Sequence, residues 1–232
     1  MLTDDARPCA QEVIKFCELP PAEGWLELPA GFVRRCGALL RGLLVLYDAN
    51  LIDTGDGLAR AVFEAAVTGV WLLGELDARS ERLIRGFRDE LGALAKANRG
   101  LYQPVLDSLC ESMEKMFGDS RGKRMPNVKD RMAPDIERHH LRYKEISSRT
   151  HATLVSAALH SGQVAHPFSD GYVPYSAFLT ATLALATRAK MGLSYDRLYN
   201  LAFALAALND GASATPILDP LPPGTVIVRP ED

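Results

Sequence analysis

The chain is organised around residues 135–162, DIERHHLRYKEISSRTHATLVSAALHSG. Asp135 follows a proline and suits a helix N-cap, and Gly162 suits a C-terminal stop, so the stretch predicts one long helix. Four of the five histidines of the chain lie inside it, and the fifth, His166, follows directly. The predicted helix carries polar residues on two opposite faces.

The two polar faces differ in character. The first face is charged, and its residues are spaced so that neighbours can pair, as on a solvated face: Arg138, Arg142, Glu145 and Arg149. The opposite face places Tyr143, Ser147 and His151 at successive helical turns, where a bundle normally has Leu or Ile. A buried polar group without a partner costs roughly 1–3 kcal/mol, so these side chains need partners or line a cavity.

Helical periodicity also recurs along the rest of the chain. The further predicted helices are Gln11 to Leu19, Phe32 to Ala49, Thr54 or Asp56 to about Asp77, Ser80 to beyond Leu94, Leu101 to Phe117, Tyr175 to Met191, and Ser194 to Leu208. This pattern predicts an all-α fold, a bundle of about six or seven helices. Residues 1–30 form an N-terminal helical and connector segment, 31–209 the bundle, and 210–232 an extended, proline-rich tail.

Composition excludes several classes of protein. The net charge of −3 gives no global field for nucleic acid or membranes, and no apolar run without a charge reaches the length of a membrane span. Four cysteines without CxxC spacing indicate reduced thiols. We therefore expect a cytoplasmic protein that does not interact with a membrane.

An apolar segment, LARAVFEAAVTGVWLLG (58–74), contains only two charged residues, Arg60 and Glu64. They lie four residues apart and therefore on one helical face. One interpretation is an ion pair that fixes the packing of the helix. The other is a site in which Arg60 binds an anion and Glu64 orients a histidine.

The stripe of Tyr143, Ser147 and His151 has the same two interpretations. A core histidine with a hydrogen-bond partner is one of them. In the other, Glu64 reaches His151, fixes its tautomer and raises the pKa of a general acid or base.

Metal and nucleophile motifs are incomplete. Glu137-x-x-His140 matches half of a carboxylate-bridged di-iron motif, and a second half does not occur. Three histidines can form a metal site, but their spacing does not require one. The sequence also contains no phosphate-binding glycine loop, and we predict no metal and no cofactor.

A local excess of positive charge occupies residues 121–149, where nine lysines and arginines stand against four acidic residues. The segment 118–134 is predicted to be a long exposed loop. One interpretation is an ordinary solvated loop. The other is a strip of positive charge that contacts the phosphate backbone of a nucleic acid. The predicted nucleic-acid-binding residues are Arg121, Lys123, Arg124, Arg138, Arg142 and Arg149.

The pairing of Arg60-x-x-x-Glu64 with Tyr143-x-x-x-Ser147-x-x-x-His151 resembles a bacterial family of uncharacterised helical proteins that is loosely HEPN-like. The resemblance spans about residues 35–165. Active HEPN-type proteins are metal-independent ribonucleases, often dimeric, in toxin–antitoxin or phage-defence systems. Their hallmark is an arginine and a histidine separated by four to six residues; here eight residues separate Arg142 from His151, and one separates Arg149 from it.

The resemblance implies a homodimer that acts on or binds RNA or nucleotides, with an antitoxin or another protein as a partner. The candidate catalytic residues are His151, Glu64, Arg60, Tyr143 and Ser147. The alternative is a non-enzymatic helical interaction module whose buried polar residues are structural. A metal-dependent bundle enzyme is a third hypothesis.

Overall fold

The structure, a computed structural model, describes residues 2–97, 103–104, 107–108, 111, 115, 126–132, 143–144, 146–147 and 171–209. Seven α-helices and no strand occur within this part of the chain, which confirms the all-α fold. The helices are α1 (Leu2–Phe16), α2 (Glu27–Asp48), α3 (Asp56–Gly74), α4 (Leu76–Ala97), α5 (Val128–Arg131), α6 (Tyr172–Lys190) and α7 (Asp196–Leu208). The predicted tail, 210–232, and most of the predicted helix 135–162 lie outside the described residues.

The central helix of the described bundle is α6. All residues from Tyr172 to Leu185 are buried, because α1, α2, α3 and α7 pack around this helix. A helix that is buried on all sides has no polar face to direct outward. The hydroxyls of Thr180 and Thr182 donate to the carbonyls of Ser176 and Phe178 one turn earlier, at 2.7 and 2.9 Å, so they are satisfied within the helix.

Helix α3 packs against both α2 and α6 and holds the candidate site. Near its C-terminal end, Gly69 lies against the fully buried Leu183, at a separation that leaves no room for a Cβ atom. At its N-terminal end, the Tyr172 hydroxyl donates to the buried carboxylate of Asp56. These two contacts hold α3 and α6 together at both ends.

Several helices begin earlier than the sequence pattern predicts. Helix α2 begins at Glu27 and α6 at Tyr172, and each has a proline, Pro29 or Pro174, as its third residue. A proline fits there because the first turn of a helix has no intrahelical acceptor for its N–H groups. Helix α1 extends back to Leu2 and also contains a proline.

Helix α3 begins at Asp56, one of its two predicted start residues, whereas α4 begins before the predicted Ser80. The N-cap of α3 is Gly55, which has no side chain, and the Thr54 hydroxyl donates instead to the carbonyl of Leu51 at 2.8 Å. Ser80 lies inside α4, which begins four residues earlier, and is fully buried. A polar residue near a predicted helix start therefore need not cap it, because its hydroxyl can bond within the preceding turn, as in Thr54, or its side chain can be buried inside the helix, as in Ser80.

The core is continuous from the N-terminal segment into the bundle. Ala6, Ala10 and Val13 of α1 are fully buried in the same hydrophobic cluster as residues of α2, α3, α6 and α7. In the structure, therefore, α1 packs against the bundle although we assigned residues 1–30 to a separate segment.

Helix α3 is long and apolar enough to cross a membrane, by length and composition alone. It is also a core helix, with 12 of its residues buried between neighbouring helices. Core helices of soluble proteins satisfy the same criterion. The absence of a membrane partner and the cytoplasmic location stay predictions.

Candidate functional site

The candidate site is built on a polar stripe of α3. Arg60, Glu64 and Thr68 follow one another at intervals of four residues and therefore share a face of an otherwise apolar helix. The Arg60 Nε donates to Glu64 Oε1 at 2.9 Å, which is the intrahelical ion pair that the spacing predicts. The side chain of Arg60 is 24% exposed and that of Glu64 is 38% exposed, so the pair is accessible to water.

Tyr143 adds a phenol to this stripe. Its hydroxyl donates to the same Glu64 Oε1 at 2.8 Å, although the two residues are 79 positions apart in the sequence. Its ring stacks on Phe63 with the centroids 5.0 Å apart, and the Arg60 guanidinium carbon lies 5.8 Å from the ring centroid. The nearby Ile146 is only 2% exposed and packs in the core, which places Tyr143 against α3.

The environment keeps Tyr143 in its neutral form. Burial raises the pKa of the phenol, the hydrogen bond to Glu64 and its charge raise it further, and Arg60 acts in the opposite direction. A neutral phenol is a hydrogen-bond donor at physiological pH. Tyr143 therefore holds the Glu64 carboxylate from a second side.

Arg131, the last residue of the short helix α5, provides a second guanidinium. Its Nη1 donates to the Thr68 hydroxyl, and its Nε makes a long contact of 3.4 Å with the carbonyl of Asn127. The Thr68 hydroxyl in turn donates to the carbonyl of Glu64 at 2.6 Å. Burial lowers the pKa of Arg131, while the negative charges near it, Glu64 first, act in the opposite direction.

The position of Arg131 differs from the exposed loop predicted for residues 118–134. Asn127 caps α5 through a hydrogen bond from the amide of Asp130 to its side chain, at 3.0 Å. Val128 and Met132 pack against the core and so bring the intervening arginine to α3. The rest of that predicted loop, 118–125 and 133–134, lies outside the described residues.

We call these five residues, Arg60, Glu64, Thr68, Arg131 and Tyr143, the α3 cluster. Two guanidiniums and one carboxylate give it a formal charge of +1. Both hydrogen bonds to the Glu64 side chain end on Oε1, so Oε2 accepts none from any residue that the structure describes. The α3 cluster therefore combines a surplus cation with a carboxylate oxygen that can accept a further proton or hydrogen bond.

The structure brings together three of the five candidate catalytic residues: Arg60, Glu64 and Tyr143. Ser147 is helical and half-buried, and it makes no hydrogen bond to another described residue. His151 lies outside the described residues. So do all of the predicted nucleic-acid-binding residues: Arg121, Lys123, Arg124, Arg138, Arg142 and Arg149.

Two members of the α3 cluster were absent from our predicted site residues. Thr68 carries a signal in the sequence, because it extends the four-residue spacing of Arg60 and Glu64 by one more turn. Arg131 carries a weaker one, the helix cap of Asn127 with Asp130 three residues later. Neither signal predicts that the two side chains meet.

The histidines on which a metal site would depend lie outside the described residues. Within the described ranges, no group of three or more His, Cys, Asp and Glu side chains is close enough to hold a metal ion. All five histidines, including His140 of the half di-iron motif, lie outside those ranges.

Comparison of the chain with protein-family models, with curated proteins and with solved structures gives no match. The HEPN-like relationship therefore stays a prediction from the motifs. The α3 cluster is defined by its geometry alone, which joins an arginine, a carboxylate and a phenol through hydrogen bonds and places a second arginine beside them.

Proposed function

We propose that this chain binds RNA or nucleotides at the α3 cluster. The observation that carries the proposal is the convergence of two guanidiniums, Arg60 and Arg131, on a half-exposed face around one carboxylate. A surplus positive charge at a water-accessible polar face favours an anionic ligand, and guanidinium groups match the geometry of phosphate oxygens. Phosphate contacts are the main source of affinity for nucleic acids.

In the catalytic form of this proposal, the site cleaves RNA without a metal ion. His151 acts as the general acid or base, and Glu64 Oε2 is the atom that orients it. An arginine stabilises the charge that develops on the phosphate. The resemblance of the two motifs to the HEPN-like group supports this form, as does the contact between their residues Glu64 and Tyr143.

The test combines binding and cleavage of a fluorescently labelled single-stranded RNA in EDTA. We expect the wild-type protein to bind with an affinity that falls steeply with salt, and we expect Arg60→Ala to weaken binding. His151→Ala should remove cleavage and leave binding in place. Arg34→Ala is the matched control, because it removes an arginine and an Arg–Glu ion pair from α2 instead.

A second candidate function is a non-enzymatic interaction module. The observation that favours it is that Arg60, Tyr143 and Arg131 all already have hydrogen-bond partners inside the protein. Such a network can be purely structural and hold the helices in register. A folded protein that neither binds nor cleaves RNA at low salt would support this function and contradict the first.

A further inference from the structure

The two guanidiniums of the α3 cluster have different partners. Arg60 is neutralised by Glu64, which lies 2.9 Å from its Nε. Among the described residues, the partners of Arg131 are both uncharged, the Thr68 hydroxyl and the Asn127 carbonyl. No carboxylate lies within ion-pair distance of Arg131 in the part of the chain that the structure describes. The formal surplus charge of the α3 cluster therefore belongs to Arg131.

Burial makes this surplus charge costly. Arg131 is half-buried against α3, and its desolvation lowers its pKa. Arginine nevertheless stays charged in proteins, so the cost is not avoided by loss of a proton. A half-buried cation with uncharged partners is stabilised by an external anion.

The partners of Arg131 also fix the direction of its guanidinium. The Thr68 hydroxyl gives its hydrogen to the Glu64 carbonyl, so a lone pair of its oxygen accepts from Arg131 Nη1. Nε points to Asn127, and Nη2 donates to no described residue. The guanidinium is thus oriented through two of its three nitrogens, and the donors of the third, Nη2, are not used by any described residue.

Two neighbouring carboxylates limit the size of the anion that can bind at Arg131. The negative charges of Glu64 and, to a lesser extent, of Glu90 of α4 both act on Arg131. Both carboxylates oppose an anion that spreads over the whole cluster. They permit a single phosphate group at Nη2 of Arg131, the nitrogen that donates to no described residue.

We infer that Arg131 is the phosphate-binding residue of the site, and that Arg60 is a positioning residue that holds Glu64 and Tyr143. This inference rests on the proposed function and specifies how a phosphate group of RNA or of a nucleotide is recognised. Arg131 contacts the ligand through a charge-assisted hydrogen bond, and Arg60 acts through the carboxylate that it orients.

The test uses inorganic phosphate and a labelled RNA as separate probes of the full chain. Phosphate is titrated against the thermal unfolding midpoint at ionic strength matched with sodium chloride, for wild type, Arg131→Ala, Arg131→Lys and Lys129→Ala. Lys129 is an exposed cation on the same short helix and controls for the loss of one charge. Phosphate stabilises proteins in general, so only the difference between variants reports the site.

We expect phosphate to raise the midpoint of wild type and Lys129→Ala more than that of Arg131→Ala. For RNA, Arg131→Ala should lower the affinity about tenfold and reduce the salt slope by about 1, as expected for one lost phosphate contact. Arg131→Lys keeps the positive charge but lacks the planar guanidinium with its paired donors. Its RNA affinity should therefore lie between those of wild type and Arg131→Ala. Arg131→Lys also replaces Arg131→Ala in the comparison if the alanine variant does not fold.

The outcomes separate this inference from the proposed function. RNA binding that is equally tight and equally salt-dependent in wild type and the Arg131 variants would overturn the inference and leave the function in place. A wild type that binds no RNA but responds to phosphate through Arg131 would exclude RNA as the ligand of the proposed function and support the anion site. If neither probe distinguishes the variants, the inference is wrong.

Discussion

At the residue scale, two buried thiols link stability to pH. Burial raises the pKa of Cys17 to about 12, and it also raises the pKa of Cys36 strongly. Each thiol donates to a backbone carbonyl, that of Val13 at 3.3 Å and that of Val62 at 3.8 Å, which favours the protonated form. Both thiols therefore stabilise the folded state only while they keep their protons.

We predict that the protein loses stability as the pH rises above ~8.5, where a thiol of the unfolded chain ionises. In the window from there to about 12, the folded state keeps the Cys17 proton and the unfolded state does not. The free energy of unfolding should fall by up to ~1.4 kcal/mol per pH unit for each thiol. Urea unfolding of wild type and Cys17→Ala between pH 7 and 10.5, with a reductant present, measures it.

Removal of the thiol should make this dependence shallower, since Cys17→Ala has one buried titrating group fewer. The comparison uses the slope of the unfolding free energy against pH, so any stability that Cys17→Ala loses at neutral pH through its cavity does not affect it. An identical slope in the two proteins would show that the Cys17 thiol does not titrate differently in the folded and unfolded states.

Single residues also show how far the sequence predicts the site. The ion pair of Arg60 with Glu64 was predictable, because residues four apart on a helix are neighbours. That Tyr143 is a partner of Glu64 was not, since helical spacing contains no information about contacts between helices. The partner predicted for Glu64 was His151, and that contact stays a prediction.

At the element scale, α3 and α6 approach closely at one glycine. A Cβ atom on Gly69 would lie 2.5 Å from Leu183 Cδ1 and 2.8 Å from Cδ2. Leu183 is fully buried and cannot move aside without displacing other core residues. On the same helix, Gly57 is exposed and has nothing within 4 Å of a Cβ position.

We predict opposite effects for alanine at these two glycines. Gly57→Ala should stabilise the protein by about 0.5–1 kcal/mol, because alanine loses less backbone entropy in a helix. Gly69→Ala should destabilise it by about 1–2 kcal/mol, because overpacking exceeds that gain. The free energy of unfolding in urea measures both changes.

A double-mutant cycle tests the proposed cause. In a Leu183→Ala background, space opens beside residue 69, so Gly69→Ala should no longer destabilise the protein. A Gly69→Ala variant that is as stable as Gly57→Ala, or a cost that persists when Leu183 is removed, would contradict the close approach of α3 and α6.

The beginnings of helices show why element boundaries were harder to predict than the helical class. The periodic apolar positions of α2 and α6 predict both helices, but the connectors before them contain prolines. Pro29 and Pro174 suggest non-helical chain, yet each is the third helical residue. Whether such a proline precedes or belongs to the first turn depends on packing, here on the buried Ala30 and Tyr172.

At the scale of the whole molecule, the described helices pack around one buried helix. Helix α6 contacts α1, α2, α3 and α7, so none of these can leave without exposing it. The α3 cluster is built on one of them, α3, and depends on the packing of that helix for its position. By contrast, α4 is buried at Ser80, Ile84 and Gly86 but exposed at Glu90, Gly92 and Ala93.

This contrast predicts two levels of hydrogen-exchange protection. Amides of α6 from Ser176 to Leu185 should exchange only through global unfolding, whereas amides in the exposed end of α4, near Glu90, should exchange through local opening. Leu183→Ala, which opens a cavity in the core, should therefore speed exchange in α6 by roughly 100-fold and leave that end of α4 unchanged. Exchange monitored by mass spectrometry at neutral pH measures both segments in one experiment. If α6 exchanged as fast as the end of α4, or if the substitution accelerated both segments equally, α6 would not be the helix on which the bundle depends.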